Sequence, residues 1–401
     1  MSAAVATRFA AAHARLRTVG VTGTNGKTTT TSMVAAIVAA AGEPSARVTT
    51  VGAWVDDELM SGANLAHEFL ITVERAAARG VKTIAVEMTS KALAGGLARR
   101  WRPHVGVFTN LTRDHLDMHG SPEAYLAAKA QLVIALAPGG AAVLNGDDPA
   151  AALLAELVPP DVALLRFSKH DPSCTLAAER VEVSSTGTRI SLARGVLADQ
   201  LDRTIALRVV GGVHAENALA AGLAAHALGC PADAIARGLA TFGGVPGRFE
   251  VVASEPLIVV DYAHTPDGLA GTLATARALC SDGRVVCVFG CGGDRDRGKR
   301  PQMGAIADAR ADVVVLTSDN PRREDPRAIA AEVVAGVAAA RARWIIELDR
   351  ARAIELAIAT ARPDDVVVIA GKGHERLQEL DGATIPFCDA DVARETHRQR
   401  L

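Results

Sequence analysis

Aromatic residues are nearly missing from this chain: three tryptophans, two tyrosines and eight phenylalanines among 401 residues. A core of ordinary density must therefore be built from aliphatic side chains. Cysteine is sparser still. The six (Cys174, Cys230, Cys280, Cys287, Cys291, Cys388) contain no Cys-x-x-Cys pair at zinc spacing, which argues against a disulfide scaffold and for a reducing, cytoplasmic setting. An excess of either charge is also lacking: 43 Lys and Arg face 45 Asp and Glu, a formal net charge of −2. Nothing global attracts nucleic acid or an anionic membrane, so any polyanion must be held by a local site. No apolar run approaches the ~20 residues that cross a bilayer. The first 17 residues carry Arg8, Arg15 and Arg17 and no acid, and read as a short leading helix.

What is present is the composition of a soluble globular protein, 49% hydrophobic and 22% charged, long enough for two or three domains. Short β-branched runs alternate with alanine-rich stretches: Thr18 to Thr22, Thr83 to Glu87, Val105 to Asn110, Ala141 to Asn145, Leu257 to Asp261, Val285 to Gly290, Val313 to Thr317 and Val366 to Gly371. Nearly continuous apolar strands separated by helices indicate an α/β protein whose mostly parallel sheets are covered on both faces. Between about Leu165 and Val210 shorter alternating pieces predict an antiparallel excursion. The Gly- and Pro-rich Phe242 to Arg248 reads as a linker, which places a boundary between residues 1–246 and 247–401.

Ligands of open α/β sheets sit beyond the carboxyl ends of the strands. Here those ends carry the unusual residues, among them Glu87, Asn110, Arg113-Asp114-His115, Asp261-Tyr262-Ala263-His264, the Gly290 to Arg300 loop, Asp319-Asn320-Pro321-Arg322 and Gly371-Lys372-Gly373-His374-Glu375. They read as one composite site. The most telling stretch is Gly20 to Thr29, in which Gly23, Thr24, Asn25, Gly26, Lys27, Thr28 and Thr29 join a strand to a helix. Backbone N–H groups and the helix N-terminus then converge on an anion, with Lys27 as a point charge and Thr28 as a magnesium ligand. The strict GxxxxGK[ST] pattern is not met, because Val21 stands at its first glycine. Ser121-Pro122 reads as a helix N-cap and first turn, placing Tyr125 and Lys129 four residues apart on one helix face. Taken alone, Lys129 is a surface lysine, Asn217 a polar residue on a helix face and Arg322 a solvated turn residue.

TGTNGKTTT with this spacing resembles the Mur ligase family, which makes peptide bonds onto cell-wall (peptidoglycan) precursors, and its relative folylpolyglutamate synthetase. The stretches Phe108 to Gly120, Asp261 to Pro266, Gly290 to Arg300, Asp319 to Arg322 and Gly371 to Glu375 resemble the branch that adds the third residue of the peptide stem. The resemblance implies a P-loop-type central ATPase domain followed by a Rossmann-like C-terminal domain that binds the incoming amino acid. It implies an ATP-dependent ligase that forms an acyl phosphate and lets an amine displace phosphate from it. Thr28, Glu87 and His115 become ligands of Mg²⁺ or Mn²⁺, hard oxygens plus one imidazole. Lys129 becomes a carbamylated lysine acting as a further metal ligand, and Lys27, Lys129 and His115 the catalytic set. Asn110 joins the nucleotide site, Asn217 approaches adenine, and Asp261 and Arg248 surround the ribose and phosphates. Arg322 pairs with the distal carboxylate of a residue such as meso-diaminopimelate, a bidentate match that lysine cannot copy, with Arg300, Asp319, Asn320, Gly371 and Glu375 completing the pocket.

The sequence departs from the family on the acceptor side. Ser61 to His67 stands where adjacent threonines meet the muramoyl substrate, and Thr89-Ser90-Lys91-Ala92-Leu93 stands for Ser-Ser-His-Ala-Leu. His214-Ala215-Glu216-Asn217 replaces Asn-x-x-Asn. With about 17 residues before the first strand, the family's uridine-nucleotide-binding N-terminal domain is expected to be absent, and a partner protein to deliver the carboxylate acceptor. The partners expected are otherwise small molecules, with no nucleic acid and no membrane. The alternatives are a folylpolyglutamate synthetase-like ligase and a non-catalytic nucleotide-binding regulatory subunit.

Overall fold

The computed structural model describes residues 11–61 and 65–400. Most of the expected leading helix, residues 1–10, and the acceptor-side residues 62–64 lie outside them. Two compact units result. One comprises the chain up to Thr112, His119–Glu182 and Gly187–Gly243; the other comprises Arg113–Met118, Val183–Thr186 and Gly244 onward.

The first unit is built on β1 (Arg17–Thr22), β2 (Ser45–Thr49), β3 (Gly52–Val55), β4 (Glu58–Met60), β5 (Thr83–Glu87), β6 (Val105–Phe108), β7 (Ala141–Asn145), β8 (Ala163–Ser168), β9 (Leu176–Ser184), β10 (Gly187–Leu192) and β11 (Thr204–Leu207). They form one sheet in the order β11-β10-β9-β8-β7-β6-β1-β5-β2-β3-β4. Its centre is parallel, β1 lying between β5 and β6, with β2 beside β5 and β7 beside β6 and β8. Every residue of β5, β6 and β7 is buried, which is why these stretches read as unbroken apolar runs rather than as alternating ones.

Both margins turn antiparallel, β2-β3-β4 at one and β10-β11 at the other. The second was expected from the alternation near Leu165 to Val210. The first was not, because strands of five, four and three residues leave too little period to read. The helix Gly212–Ala227 is buried along almost its whole length, and its alanines let it lie close against helix Lys27–Ala40. Helix Pro122–Ile134 starts as its sequence demands, the Ser121 hydroxyl accepting from the Ala124 N–H at 3.2 Å.

The second unit carries β12 (Glu250–Ser254), β13 (Leu257–Asp261), β14 (Val285–Phe289), β15 (Val313–Leu316), β16 (Arg343–Ile346) and β17 (Val366–Ala370), ordered β12-β13-β17-β14-β15-β16. All neighbours are parallel except β12 and β13. A separate hairpin joins β18 (Leu377–Leu380) to β19 (Ala383–Pro386). Val286, Val288, Val315, Val367 and Ile369 meet Ile354 and Ile358 of helix Arg350–Thr360 in the core. Each such side chain stabilises the fold by ~1.5–3 kcal/mol through burial. Parallel pairing brings the carboxyl ends of β13, β14, β15 and β17 to one edge, and with them the loops that begin at Asp261, Gly290, Thr317 and Gly371.

Candidate active site

In the first unit the loop between β1 and helix Lys27–Ala40 is stitched to the end of β6. The Thr24 N–H donates to the Asn110 carbonyl at 2.8 Å, the Asn25 N–H to Asn110 Oδ1 at 2.8 Å, and the Thr109 hydroxyl to the Asn25 carbonyl at 2.6 Å. Gly23 and Gly26 hold φ of 151° and 84°, and a Cβ there would stand 1.8 Å from Thr109 Oγ1 and 2.3 Å from Asn217 Oδ1. Only glycine fits both places, which explains the sequence GTNGK. Gly26 caps the helix without a side-chain acceptor, leaving its N-terminal dipole to an incoming anion. Thr29 is buried in the first turn of that helix. Lys27 Nζ donates to the Thr24 carbonyl at 2.6 Å, folding the cation back over the loop. Asn217, from a distant helix, accepts from the Thr30 hydroxyl at 3.3 Å and so borders the loop itself.

Beneath the loop, Thr28 and Glu87 meet. The Thr28 hydroxyl donates to Glu87 Oε2 at 2.8 Å, and the same oxygen accepts from the Thr50 N–H at 3.0 Å and hydroxyl at 3.1 Å. Thr50, missed by sequence reasoning, lies in the turn between β2 and β3, a hairpin the sequence did not reveal. Among the described residues no three His, Cys, Asp or Glu side chains converge as a ready-made cage. The donor set at this point is instead hard oxygen, two hydroxyls and one carboxylate, which fits Mg²⁺, an ion that keeps several waters and takes its remaining ligands from nucleotide phosphates.

Lys129 is not a surface residue. It is 1% exposed, its Nζ donating to the Gly23 carbonyl at 2.6 Å and standing 4.2 Å from the centre of the Tyr125 ring, whose hydroxyl lies 3.3 Å from Thr24 Oγ1. The i, i+4 spacing thus puts both side chains against the phosphate loop. His119 Nε2 lies 2.9 Å from Ser90 Oγ with its ring against Tyr125.

His115 belongs to the second unit, with φ of 53° and its Nε2 3.3 Å from Asp114 Oδ2. Asp114 is buried and also faces His264 Nε2 at 3.7 Å. Burial by itself would raise its carboxyl, but the hydrogen bond with His264, with His264, His115 and Lys299 alongside, holds it well below the usual range. Asp261 closes β13, accepting from the Phe249 N–H at 2.6 Å and the Thr272 hydroxyl at 3.1 Å. Burial pushes its carboxyl up, and the nearby Arg248 guanidinium opposes this. Arg248 stacks 4.1 Å from the centre of the Tyr262 ring, whose phenol burial raises to about 12, so the ring stays a neutral platform.

The Asp-Asn-Pro-Arg stretch and the Gly371 to Glu375 loop form one network. Asn320 Nδ2 donates to Glu375 Oε2 at 2.8 Å, Asp319 Oδ1 accepts from the Asn320 N–H at 2.7 Å, and the Gly371 N–H reaches the Asp261 carbonyl at 3.0 Å. Arg322, at φ 55°, donates to the Gly293 carbonyl at 2.7 Å, its Nε 3.3 Å from Glu379. Arg300 has partners of its own beside this network. Fully buried, it spends its fork on Glu324 at 2.8 Å and Glu332 at 2.9 Å and on the Gly292 carbonyl at 3.1 Å. Lys372, placed by the sequence in the strand-end cluster but given no role of its own, is buried inside the network; Arg350 was not singled out, and its fork meets Asp389 at 2.7 Å while its remaining donors reach the carbonyls of Ser318 and Ala370.

A glycine-rich strand-loop-helix with a buried carboxylate below it, together with a second α/β unit rich in polar strand ends, is the arrangement of a nucleotide-dependent enzyme. Family models add the particulars: the Mur ligase middle domain matches residues 21–225, and the Mur ligase glutamate ligase domain matches 247–373. A UDP-N-acetylmuramoyl-L-alanyl-D-glutamate--2,6-diaminopimelate ligase of Parasynechococcus marenigrum is 42% identical over 399 residues, covering 96% of this chain and 78% of that protein. One of the same name from Geobacillus kaustophilus is 39% identical, with 96% and 80% covered. A solved structure of a ligase so named superposes with a TM-score of 0.65 at 34% identity, covering 96% of this chain and 78% of that one. A Mycobacterium tuberculosis folylpolyglutamate synthase complexed with ADP shares the fold, at a TM-score of 0.73 and 23% identity over 92% of this chain and 90% of that one. The chain belongs to the Mur ligase family. It is an ATP-dependent ligase that joins a carboxylate to an amine.

Proposed function

We propose that this ligase adds an amino acid with a distal carboxylate, such as meso-diaminopimelate, to a muramoyl-peptide carboxylate in the cytoplasm. A carboxylate is a poor acylating agent. One of its oxygens therefore attacks the ATP γ-phosphorus and ADP leaves; the amine nitrogen, having shed a proton, then attacks the acyl carbon and inorganic phosphate leaves. Such phosphoryl transfer depends on positioning and charge neutralisation.

Gly23, Thr24, Asn25, Gly26, Lys27, Thr28 and Thr29 hold the phosphates in this reading, with Asn110 locking the loop, Asn217 bordering it, and Asp261 and Arg248 taking the ribose side. Thr28 and Glu87 would hold a magnesium or manganese ion, with His115 and a carbamylated Lys129 as further ligands, and the ion supplies charge neutralisation at the γ-phosphate when bound. Carbon dioxide adds to the neutral amine of a lysine, a proton leaving as the carbamate forms, and Lys129 stands enclosed beside the phosphate loop where such a group would face the ion. Arg322 takes the distal carboxylate, Asp319, Asn320, Gly371 and Glu375 frame the amino acid, and Arg300 acts at one remove by holding Gly292, next to the carbonyl that Arg322 uses.

The observation that carries the reading is the Asn320–Glu375 contact, which joins two distant loops beside Arg322 in a chain 42% identical to a diaminopimelate ligase. The test is ADP release from ATP in the presence of UDP-N-acetylmuramoyl-L-alanyl-D-glutamate and meso-diaminopimelate. The expected result is release that requires both. Release that ignores the diamino acid, or runs as fast with glutamate in its place, overturns the assignment.

A further inference from the structure

Lys372 has no role in the reading above, yet it is a cation of the amino-acid network with none of its surface exposed. A charge so buried is tolerated only when its hydrogen-bonding capacity is met. Its Nζ donates to Asn320 Oδ1 at 3.0 Å, to Glu375 Oε2 at 2.8 Å and to the Leu377 carbonyl at 2.8 Å. An ammonium has three donors and no acceptor, so all three are used.

The consequence falls on Asn320. Its Oδ1 also accepts from the Glu379 N–H at 3.0 Å. Neither an ammonium nor a backbone N–H can accept a hydrogen bond, so together they oblige the amide to turn its oxygen towards Lys372 and its nitrogen towards Glu375. The same ammonium holds the Glu375 oxygen that this nitrogen meets. A neutral side chain at 372 would leave the amide with one donor facing its oxygen and the carboxylate without this cation.

We infer that Lys372 is the positioning residue of the amino-acid pocket: it sets the orientation of the Asn320 amide and anchors one oxygen of Glu375, so that the pocket's donors and acceptors stand in place before the amino acid arrives. Preorganisation of this kind acts on affinity for the group bound there and not on the nucleotide. The inference rests on the assignment of Asn320 and Glu375 to amino-acid binding.

The experiment is steady-state ADP release with UDP-N-acetylmuramoyl-L-alanyl-D-glutamate as acceptor and meso-diaminopimelate varied, for wild type, Lys372→Met, Lys372→Gln, Glu375→Gln and the Lys372→Met/Glu375→Gln double variant, each checked for native circular dichroism. Lys372→Met is expected to raise KM for diaminopimelate by about tenfold or more, as for loss of a charge-assisted hydrogen bond, with KM for ATP within about twofold of wild type. In the Glu375→Gln background the same change should add less than about threefold, because part of what Lys372 positions is gone. An unchanged KM for diaminopimelate, an equal rise in both backgrounds or an equal rise in KM for ATP overturns the inference. If Lys372→Met does not fold, Lys372→Gln decides, since it fills similar space and can donate to Asn320 without a charge; about a fivefold rise is expected, and a wild-type KM overturns the inference. Wild-type release that is indifferent to any amino acid defeats the pocket assignment itself, and the inference with it, and is read from the wild-type protein alone.

Discussion

The hydroxyl of Thr28 donates to the carboxylate of Glu87 at 2.8 Å across 59 residues of chain, so that the first turn of the phosphate-loop helix and the end of β5 make one oxygen-lined pocket. Glu87→Gln preserves the volume while removing the charge that three donors now share. ADP release is expected to fall about 100-fold or more, with a higher magnesium concentration needed for half-maximal rate. Titrating MgCl₂ against wild type and variant checks this; an unchanged magnesium dependence would place the ion elsewhere.

Lys27 lies folded onto the Thr24 carbonyl, within the loop proposed to cradle the phosphates. Lys27→Ala removes its charge from the transferring phosphoryl group, worth several kcal/mol at the transition state, and turnover should drop about 1000-fold. Near-normal kcat in the purified variant would contradict the role.

Lys129 is buried against Gly23 and Tyr125. Lys129→Ala should be nearly inactive, and formate or acetate in the buffer should restore part of the rate by occupying the space of a carbamate. Inactivity that no small carboxylate relieves, in a folded variant, would leave Lys129 a structural cation instead.

Arg322 is expected to distinguish amino acids by their far ends. Arg322→Ala should raise KM for diaminopimelate about 10- to 100-fold, from ~1.5–3 kcal/mol for a charge-assisted pair, and barely alter KM for lysine, which has no distal carboxylate. Parallel kinetics with the two amino acids provide the measurement, and equal effects on both would exclude a distal carboxylate as its partner.

Acid stability should depend on Glu324. Hydrogen bonds from the Arg300 guanidinium lower its pKa from 4.5 to about 2, burial acting the other way. A carboxyl depressed in the folded state stabilises the protein above its unfolded value and loses that contribution as pH falls through the folded one. Wild-type stability should therefore decline between about pH 4.5 and 2, and Glu324→Gln should be less stable at neutral pH with a shallower decline in that window. Urea unfolding at several acidic pH values measures both slopes; identical slopes would refute the linkage.

Sequence legibility followed distance along the chain. The central strands were readable because Val313 to Leu316 and Val366 to Ala370 are buried on both faces, a condition that local composition reports directly. The Ser121 cap and the Tyr125–Lys129 spacing were readable because helix geometry fixes neighbours three and four residues away. Strands β2 to β4 were not, being too short to show a period, and Thr50 was lost with them.

By itself the sequence determined a two-part α/β architecture and a glycine-rich strand-loop-helix, because hydrophobic period, turn chemistry and capping act over a few residues. Tertiary structure alone decided that Thr28 and Thr50 share Glu87, that Lys129 is enclosed rather than solvated, that Arg300 is committed to Glu324 and Glu332, and that Lys372 orients Asn320. Those pairings join residues well apart in the chain that meet only when strands and helices pack, and the charge, burial and donor geometry that give each side chain its chemistry exist only once that packing is made.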